Sequence, residues 1–497
     1  MYLLGIDVGS SFVKVSVIDA ETGKLICSAS APEQEMKIYA INMGWAEQDP
    51  ETWWQALNLA VKKCVKDNNS LKDNIAAIGI SYQMHGLVAV DRSLSAIRPS
   101  IIWCDSRAVK YGNNAYKKLG HKYCMTNLLN NPGNFTAAKL AWMKDNEPEN
   151  YERIYKVMLP GDYIAMRMTG EVYTTITGLS EGVFWDFAGH RMSDRILDYF
   201  DFDCDIFPAI IPVFAIQGEL SPGAASTLGI RKGIPVSYRA GDQPNNAFSL
   251  KVMEPGEVAA TAGTSGVLYG VTDKVQTDEG SRVNLFAHVN HSKDNMRLGM
   301  LACINGTGIM NAWIRRVRGA GLSYEDMNRM AEQVLPGSEN LKVFPFGNGV
   351  ERLLGNIDTG ASFRNLNLNI HTSEHLFRAV QEGIAYAFRY ASEIMNEAGA
   401  NISLIRAGKA NMFLSPLFGH LIANLTGSPV HLYNTDGSSG AARGAGIGAG
   451  IYTEKEEAFN GMKVLEEIIP EKNESEIYAS LYDEWKQSLI KELSNIN

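Results

Sequence analysis

Residues 2–6 form a short apolar run that stops at Asp7–Val8–Gly9–Ser10–Ser11. Alternation resumes at Phe12, Val13, Val15, Val17 and Ile18, and residues 19–23 carry turn chemistry ahead of Leu25 and Ile26. This pattern predicts a strand, a tight polar turn, and a second strand running back beside the first. Trp53, Trp54, Leu57, Ala60 and Val61 recur at helical spacing, so a helix is expected over 48–66. Residues 76–81 read as a buried strand ending at Tyr82–Gln83–Met84–His85–Gly86. A shorter apolar run, 101–103, is stopped by Cys104–Asp105–Ser106–Arg107.

The second half repeats this grammar. Residues 236–240 lead into Gly241–Asp242–Gln243, and residues 258–262 lead into Gly263–Thr264–Ser265–Gly266. Residues 267–271 then run on to Thr272–Asp273, much as 11–18 ran on to Asp19. Helices are expected over 373–396, 415–426 and, in a Gly/Ala-rich stretch, 439–450, with Ile405 leading to Ala407–Gly408. The tail 454–497, rich in Glu and Lys, reads as surface helices. The repeat is far longer than that of a solenoid. It predicts one α/β module used twice, with domains over 1–247 and 248–497. Open α/β sheets place ligands at the ends of buried strands, so two such domains facing each other would form a cleft.

Composition narrows the class. A chain of 497 residues is too long for a single core, and 45% hydrophobic with 20% charged residues is ordinary for a globular protein. A formal charge of -9 gives no nucleic-acid footprint. It does not exclude an anionic nucleotide, which local dipoles and a metal ion can hold. Asp7 and two glycines stand where a secretory leader would carry its apolar core, and no stretch approaches the roughly 18 apolar residues of a membrane span. A cytoplasmic location follows as the expectation. The six cysteines are scattered singly, so reduced thiols are expected, and the nine histidines show no zinc-ligand spacing.

Several polar turns carry residue types suited to phosphoryl transfer. In Asp7–Val8–Gly9–Ser10–Ser11 the glycine admits a phosphate close to the backbone, Ser10 and Ser11 can donate to its oxygens, and Asp7 can hold Mg²⁺ through water. Lys14 adds a nearby positive charge. The plain alternative is a hairpin turn with a surface aspartate. Gly263–Thr264–Ser265–Gly266 is the counterpart in the second half, and two matching loops are what a two-domain nucleotide site needs. Asp242, at a strand end beside Gln243, Asn245 and Asn246, is placed to accept a hydroxyl proton; the alternative is a helix-capping aspartate. Gln83 and His85 can donate to sugar hydroxyls with Met84 as an apolar wall, or His85 is a structural histidine. Asp105 and Arg107 suit either a structural ion pair or a polyol clamp.

Taken together and in order, these residues resemble the FGGY carbohydrate kinases, which use the actin-like ATPase fold. Asn134–Phe135–Thr136–Ala137–Ala138–Lys139–Leu140–Ala141–Trp142–Met143 is similar to the family's first signature around its K-x-x-W core. Residues 360–383, from Gly360–Ala361–Ser362–Phe363 to Gln381–Glu382–Gly383, are similar to the second. The resemblance implies two actin-like, ribonuclease H-like α/β domains, and ATP and Mg²⁺ as cofactors. Gln83–Met84–His85–Gly86 resembles the xylulokinases, and this implies that Met84, His85 and Asp242 contact a ketose, with Gln243 a further candidate; Gln83 and Asp105 are added as sugar-binding candidates from their residue types. Asp242 would be the base, and Asp7 with Asp242 would serve the metal. Gly9, Ser10, Ser11, Lys14, Gly263, Thr264 and Ser265 would meet phosphates, and Gly408 with Asn411 would line the adenosine pocket.

Gly241–Asp242–Gln243 is closer to the glycerol kinase spelling, whereas glycerol kinases carry an Arg–Glu pair where this chain has Met84–His85. Sedoheptulose kinases share Gln–Met–His–Gly. The expected reaction is ATP-dependent phosphorylation of a ketose, D-xylulose first, with sedoheptulose or another polyol as the rival acceptor. A non-catalytic regulator on the same fold would be expected to lack Asp7 or Asp242, and both are present. The expected partners are a small sugar and ATP, without nucleic acid or membrane, and the assembly considered is a homodimer.

Overall fold

Five strands build the first sheet: β1 (Tyr2–Val8), β2 (Val13–Asp19), β3 (Leu25–Ala31), β4 (Ile75–Tyr82) and β5 (Val236–Gly241). In the computed structural model, which describes residues 1–66 and 68–495, they lie in the order β3–β2–β1–β4–β5. The hairpin β1–β2 and its neighbour β3 are antiparallel, while β4 and β5 run parallel to β1. Leu4, Ile6, Val8, Val13, Val15, Val17, Ile78 and Ile80 are fully buried, because a sheet covered on both faces selects near-continuous apolar runs. Asp7 and Val8, expected in the turn, complete β1, and the turn begins at Gly9.

The helix Pro50–Val65 crosses from β3 to β4. Asp49 caps it by accepting from the Glu51 amide, proline occupies its first turn, and Trp53, Leu57, Ala60 and Val61 form its buried stripe. It carries Cys64 against β3, where the structure joins Cys64 to Cys27 in a disulfide with Cα atoms 5.9 Å apart. The expectation of six reduced thiols is corrected for this pair. The spacing of single cysteines could not reveal that an edge strand and a helix bring these two together.

A second sheet repeats the plan. Its strands are β6 (Glu257–Ala262), β7 (Gly266–Thr272), β8 (Asn284–Ala287), β9 (Leu298–Ile304), β10 (Leu404–Gly408), β11 (Val430–Tyr433) and β12 (Val464–Ile468). The five in the order β9–β7–β6–β10–β11 reproduce β3–β2–β1–β4–β5, with the same antiparallel hairpins and parallel returns. The expected duplicated ribonuclease H-like α/β module is therefore present in both halves. Helix Ser373–Glu397 makes the crossover before β10, burying Phe377, Val380, Ile384, Phe388 and Met395 along one face.

By contact, one unit comprises Met1–Lys251, Phe286–Arg297 and Thr435–Met462, and the other Val252–Leu285, Leu298–Asn434 and Lys463–Asn497. Two segments beyond Lys251 thus belong to the first unit. The later one holds helix Gly437–Gly448, expected over 439–450, which lies on β1, β4 and β5. Its approach is so close that a Cβ on Gly5 would sit 1.8 Å from the Ser438 carbonyl oxygen, and one on Gly79 1.9 Å from that of Ala441.

The tail departs from surface helices. Residues 464–468 form β12, and in helix Lys472–Ser494 the residues Tyr478, Tyr482, Trp485 and Leu489 are buried. Trp485 Nε1 donates to the Val343 carbonyl at 2.8 Å, and Arg378 donates to the Tyr478 hydroxyl at 2.6 Å. The charged residues that dominate this segment occupy its outer face. Among the described residues no helix is long and apolar enough to cross a membrane.

Candidate active site

Three of the predicted motifs sit at the carboxyl ends of neighbouring parallel strands. Register pairs Asp7 with Ser81 and Ser81 with Ala240, so β1, β4 and β5 end side by side. The residues that follow, Gly9, Gln83 and Asp242, therefore emerge together. Asp7, Gly9, Ser10, Ser11, Lys14, Gln83 and Asp242 line one cavity of 380 Å³, along with Phe12 and Trp103.

Asp7 accepts from the Ser81 hydroxyl at 2.8 Å. Its carboxyl is raised above the usual range, first by burial and then by the charge of Asp436, against the pull of Ser81 and Lys14. Asp242 is the first residue of helix Asp242–Ser249, not its cap, which is Gly241. Burial raises its carboxyl to about 7, the charge of Asp7 adds to this, and hydrogen bonds from Gln243 oppose it. Two buried carboxyls in one cavity, the charge of one raising the other, form a site poised for a cation and a proton.

Lys14 pairs with Asp436, which also caps helix Gly437–Gly448 through the Ser439 amide at 2.8 Å. Burial pushes Asp436 upward, but the Lys14 ammonium together with hydrogen bonds from Ser439 outweighs it and holds the carboxyl below its usual value. Asp436 was missed by the sequence reading. The available signal was the spelling Asp436–Gly437–Ser438–Ser439 at a strand-to-helix junction, a near copy of the Asp7 loop.

The sugar candidates divide. Gln83 lines the cavity, and its Oε1 is buried without a hydrogen-bond partner among the described residues. Met84 is buried beside Gly241. His85 holds a left-handed backbone, φ 62°, with Nδ1 2.9 Å from the Glu181 carbonyl oxygen and its ring edge-on to Phe135. Lys139, from the K-x-x-W segment, is fully buried and donates to the His85 and Ile102 carbonyls at 2.8 and 3.0 Å, fixing both loops. Burial lowers its ammonium to about 7.

Asp105 does not reach the cavity. It is fully buried, bonded to the Ala46 amide at 2.5 Å and ion-paired with Arg107 at 2.7 Å. Arg107 in turn stacks on Trp45, 3.7 Å from its ring centre. The structural ion pair is what the structure contains.

One further carboxyl was not anticipated. Glu181 ends helix Ile176–Glu181 and is buried. Burial, followed by the charges of Asp242 and Asp162, holds it well above the carboxylate range.

In the second unit, Gly263, Thr264 and Asn411 line a separate cavity of 910 Å³. The β6–β7 hairpin is held by helix Gly308–Arg318, whose Gly308 and Ile309 amides donate to the Gly263 and Thr264 carbonyls at 2.9 and 3.1 Å. Ser265 and Gly408 stand next to this lining but are not part of it. The walls combine Ile309, Tyr324, Met412, Leu414 and Pro416 with the amides of Asn311, Asn328 and Asn411. A volume near the upper end of small-ligand cavities, apolar flats and a few amides suit a heteroaromatic base with hydrogen-bonding edges. The turn Asn305–Gly306–Thr307–Gly308 was the overlooked signal for this half.

The donor set also suits Mg²⁺. Among the described residues no group of three or more His, Cys, Asp or Glu side chains gathers as a metal cage. Magnesium typically takes only one or two carboxylates, leaving the remaining positions to water and phosphate, and Asp7 with Asp242 supplies that number.

Comparison with known proteins shows the family. Residues 2–249 match the N-terminal domain of the FGGY family of carbohydrate kinases, and residues 258–451 match the C-terminal domain. A xylulose kinase of Escherichia coli (strain K12) is 30% identical over 474 residues, covering 95% of this chain and 93% of that one. One from Lactococcus lactis is 28% identical and covers 100% and 98%. Among solved structures, a xylulose kinase from Rhodospirillum rubrum has a TM-score of 0.87 at 22% identity and covers 99% of both chains. A Plasmodium falciparum glycerol kinase with ADP has a TM-score of 0.88 at 18% identity, covering 99% and 98%. With both family models matched in order and one relative 30% identical over nearly its full length, the protein belongs to the FGGY family of carbohydrate kinases.

Proposed function

We propose that this carbohydrate kinase transfers the terminal phosphoryl group of ATP to a ketose, with D-xylulose the preferred acceptor and D-xylulose 5-phosphate the product. The observation that carries the reading is the Asp7–Asp242 pair at the carboxyl ends of β1 and β5, the two parallel strands that flank β4, with Asp242 raised to about 7. The names of the relatives, xylulose kinases in Escherichia coli and Lactococcus lactis, support the choice of sugar.

In this reading Asp242 accepts the proton of the attacking hydroxyl. A base with a pKa near the working pH combines the right protonation state with adequate driving force. Gln83, Met84 and His85 hold the acceptor, and Lys139 holds the His85 loop. In the first unit Gly9, Ser10 and Ser11 meet phosphate; in the second, Gly263, Thr264 and Ser265 form that unit's own phosphate loop, and Asn411 lines its adenosine cavity. Asp7, with Asp242 nearby, would hold Mg²⁺, which when bound would supply charge neutralisation on the transferring phosphoryl group. Phosphoryl transfer needs little else than positioning and charge stabilisation.

The test is a coupled ADP-release screen over D-xylulose, sedoheptulose, ribulose, glycerol and gluconate. D-Xylulose should give the highest kcat/KM; a higher value for another acceptor would reassign the substrate, and silence across the panel would sink the reading. The base must be ionised, so kcat/KM for the ketose should rise with pH up to about 7 and then level off.

Asp7→Ala should weaken MgATP use, with partial recovery at high Mg²⁺. It should also move the acid limb to lower pH, because removing a neighbouring negative charge makes Asp242 easier to ionise. Normal ATP affinity together with an unmoved limb would reduce Asp7 to a turn residue.

A further inference from the structure

Glu181 is 1% exposed, and its Oε1 finds no hydrogen-bond partner among the described residues. A buried oxygen left unpaired is costly, so such an atom in a folded protein calls for a partner. Its position is defined by Gly241, the residue before Asp242. A Cβ built there would lie 2.6 Å from Glu181 Oε2 and 2.6 Å from Met84 Cγ. The Glu181 carboxyl and the Met84 side chain thus converge on the Gly241 backbone, one residue before Asp242. The backbone of Glu181 joins in as well, since its carbonyl oxygen meets His85 Nδ1 at 2.9 Å. The nearby Tyr82 hydroxyl is likewise buried, and its neighbour is the Glu181 carboxyl. The Tyr82 hydroxyl and the Glu181 carboxyl act on each other, and Tyr82 pairs in register with Gly241, so both groups flank the residue before the base.

We propose that Glu181 is a substrate-contacting specificity residue whose Oε1 hydrogen-bonds a hydroxyl of the acceptor other than the one phosphorylated. The class of ligand is a polyhydroxylated open-chain sugar long enough to carry a hydroxyl past the reacting one. The proposal rests on the ketose reading above. A site built to pair a hydroxyl strongly rejects analogues that lack it, so Glu181 would help to read chain length and hydroxyl pattern. The competing role is purely structural, with Glu181 and Tyr82 closing on each other.

Calorimetric binding of D-xylulose and its singly deoxygenated analogues, without nucleotide, separates the two. Glu181→Ala should weaken D-xylulose binding by about 10-fold or more while the KM for ATP stays within about twofold. One deoxy analogue should be discriminated strongly by the wild type and hardly at all by Glu181→Ala. Glu181→Gln preserves volume and should reorder the analogue series with its melting temperature nearly intact, which decides the matter if the alanine variant does not fold. Sugar affinities unchanged in both variants, or every analogue losing the same factor on wild type and variant, overturns the proposal. Wild type that binds the ketose but releases no ADP with it defeats the kinase reading and leaves the contact standing. Wild type that binds none of the series overturns both.

Discussion

Asp242→Asn should lower kcat by about 10²- to 10⁴-fold while ketose affinity stays within about twofold. Amide and carboxylate are nearly isosteric, and Asp242 sits in the first turn of a helix where either is tolerated. What the amide lacks is the capacity to take the hydroxyl proton. The variant should also lose the rise of kcat/KM toward pH 7 that the raised Asp242 carboxyl gives the wild type. Stopped-flow turnover with calorimetric sugar binding checks both halves. Retention of more than about a tenth of wild-type kcat would remove Asp242 from the base role.

A large effect is also expected far from any reacting atom. Gly5→Ala places a methyl group 1.8 Å from the Ser438 carbonyl oxygen and 2.5 Å from the Ala442 amide nitrogen. Both obstacles are backbone, so neither can rotate away. Either helix Gly437–Gly448 lifts or β1 bends, and with backbone on both sides the cost should reach the upper end of the about 1–3 kcal/mol that overpacking typically takes. The helix begins where Asp436 meets Lys14, and Asn245 reaches the Gly437 carbonyl at 2.8 Å. Lifting it should therefore disturb the site as well as the core. Thermal melting and MgATP KM should change together. A melting temperature within a degree of wild type would mean that the helix yields more easily than its glycine contacts imply.

The reacting end of the molecule was legible because it follows local grammar. Asp7, Gln83 and Asp242 each follow a buried apolar run, and each emerges at a strand end as the periodicity requires. The duplicated hairpins were legible for the same reason. Asp105 was ambiguous in sequence because an ion pair and a polyol clamp use the same residues; only burial beneath Trp45 and Arg107 separates them. Glu181 left no local trace, since its neighbours arrive from β4, β5 and the Met84–His85 loop. β12 was missed because Val464 and Leu465 are exposed at a sheet edge and sit among glutamates that favour helix. The Cys27–Cys64 pair needs the packing of the helix Pro50–Val65 on β3 before it can be foreseen.

Helix Gly437–Gly448 also bears on how the polypeptide is made. During vectorial synthesis β1, β4 and β5 leave the ribosome long before the residues that cover Gly5 and Gly79 have been translated. The nascent chain must keep that apolar face from sticking to other chains throughout the interval, a period when incomplete folds are prone to aggregate. A gene fragment ending at Lys251 would encode every strand of the first sheet and still yield an unfinished core. Excising this half for study therefore calls for grafting residues 435–462 onto it through a linker.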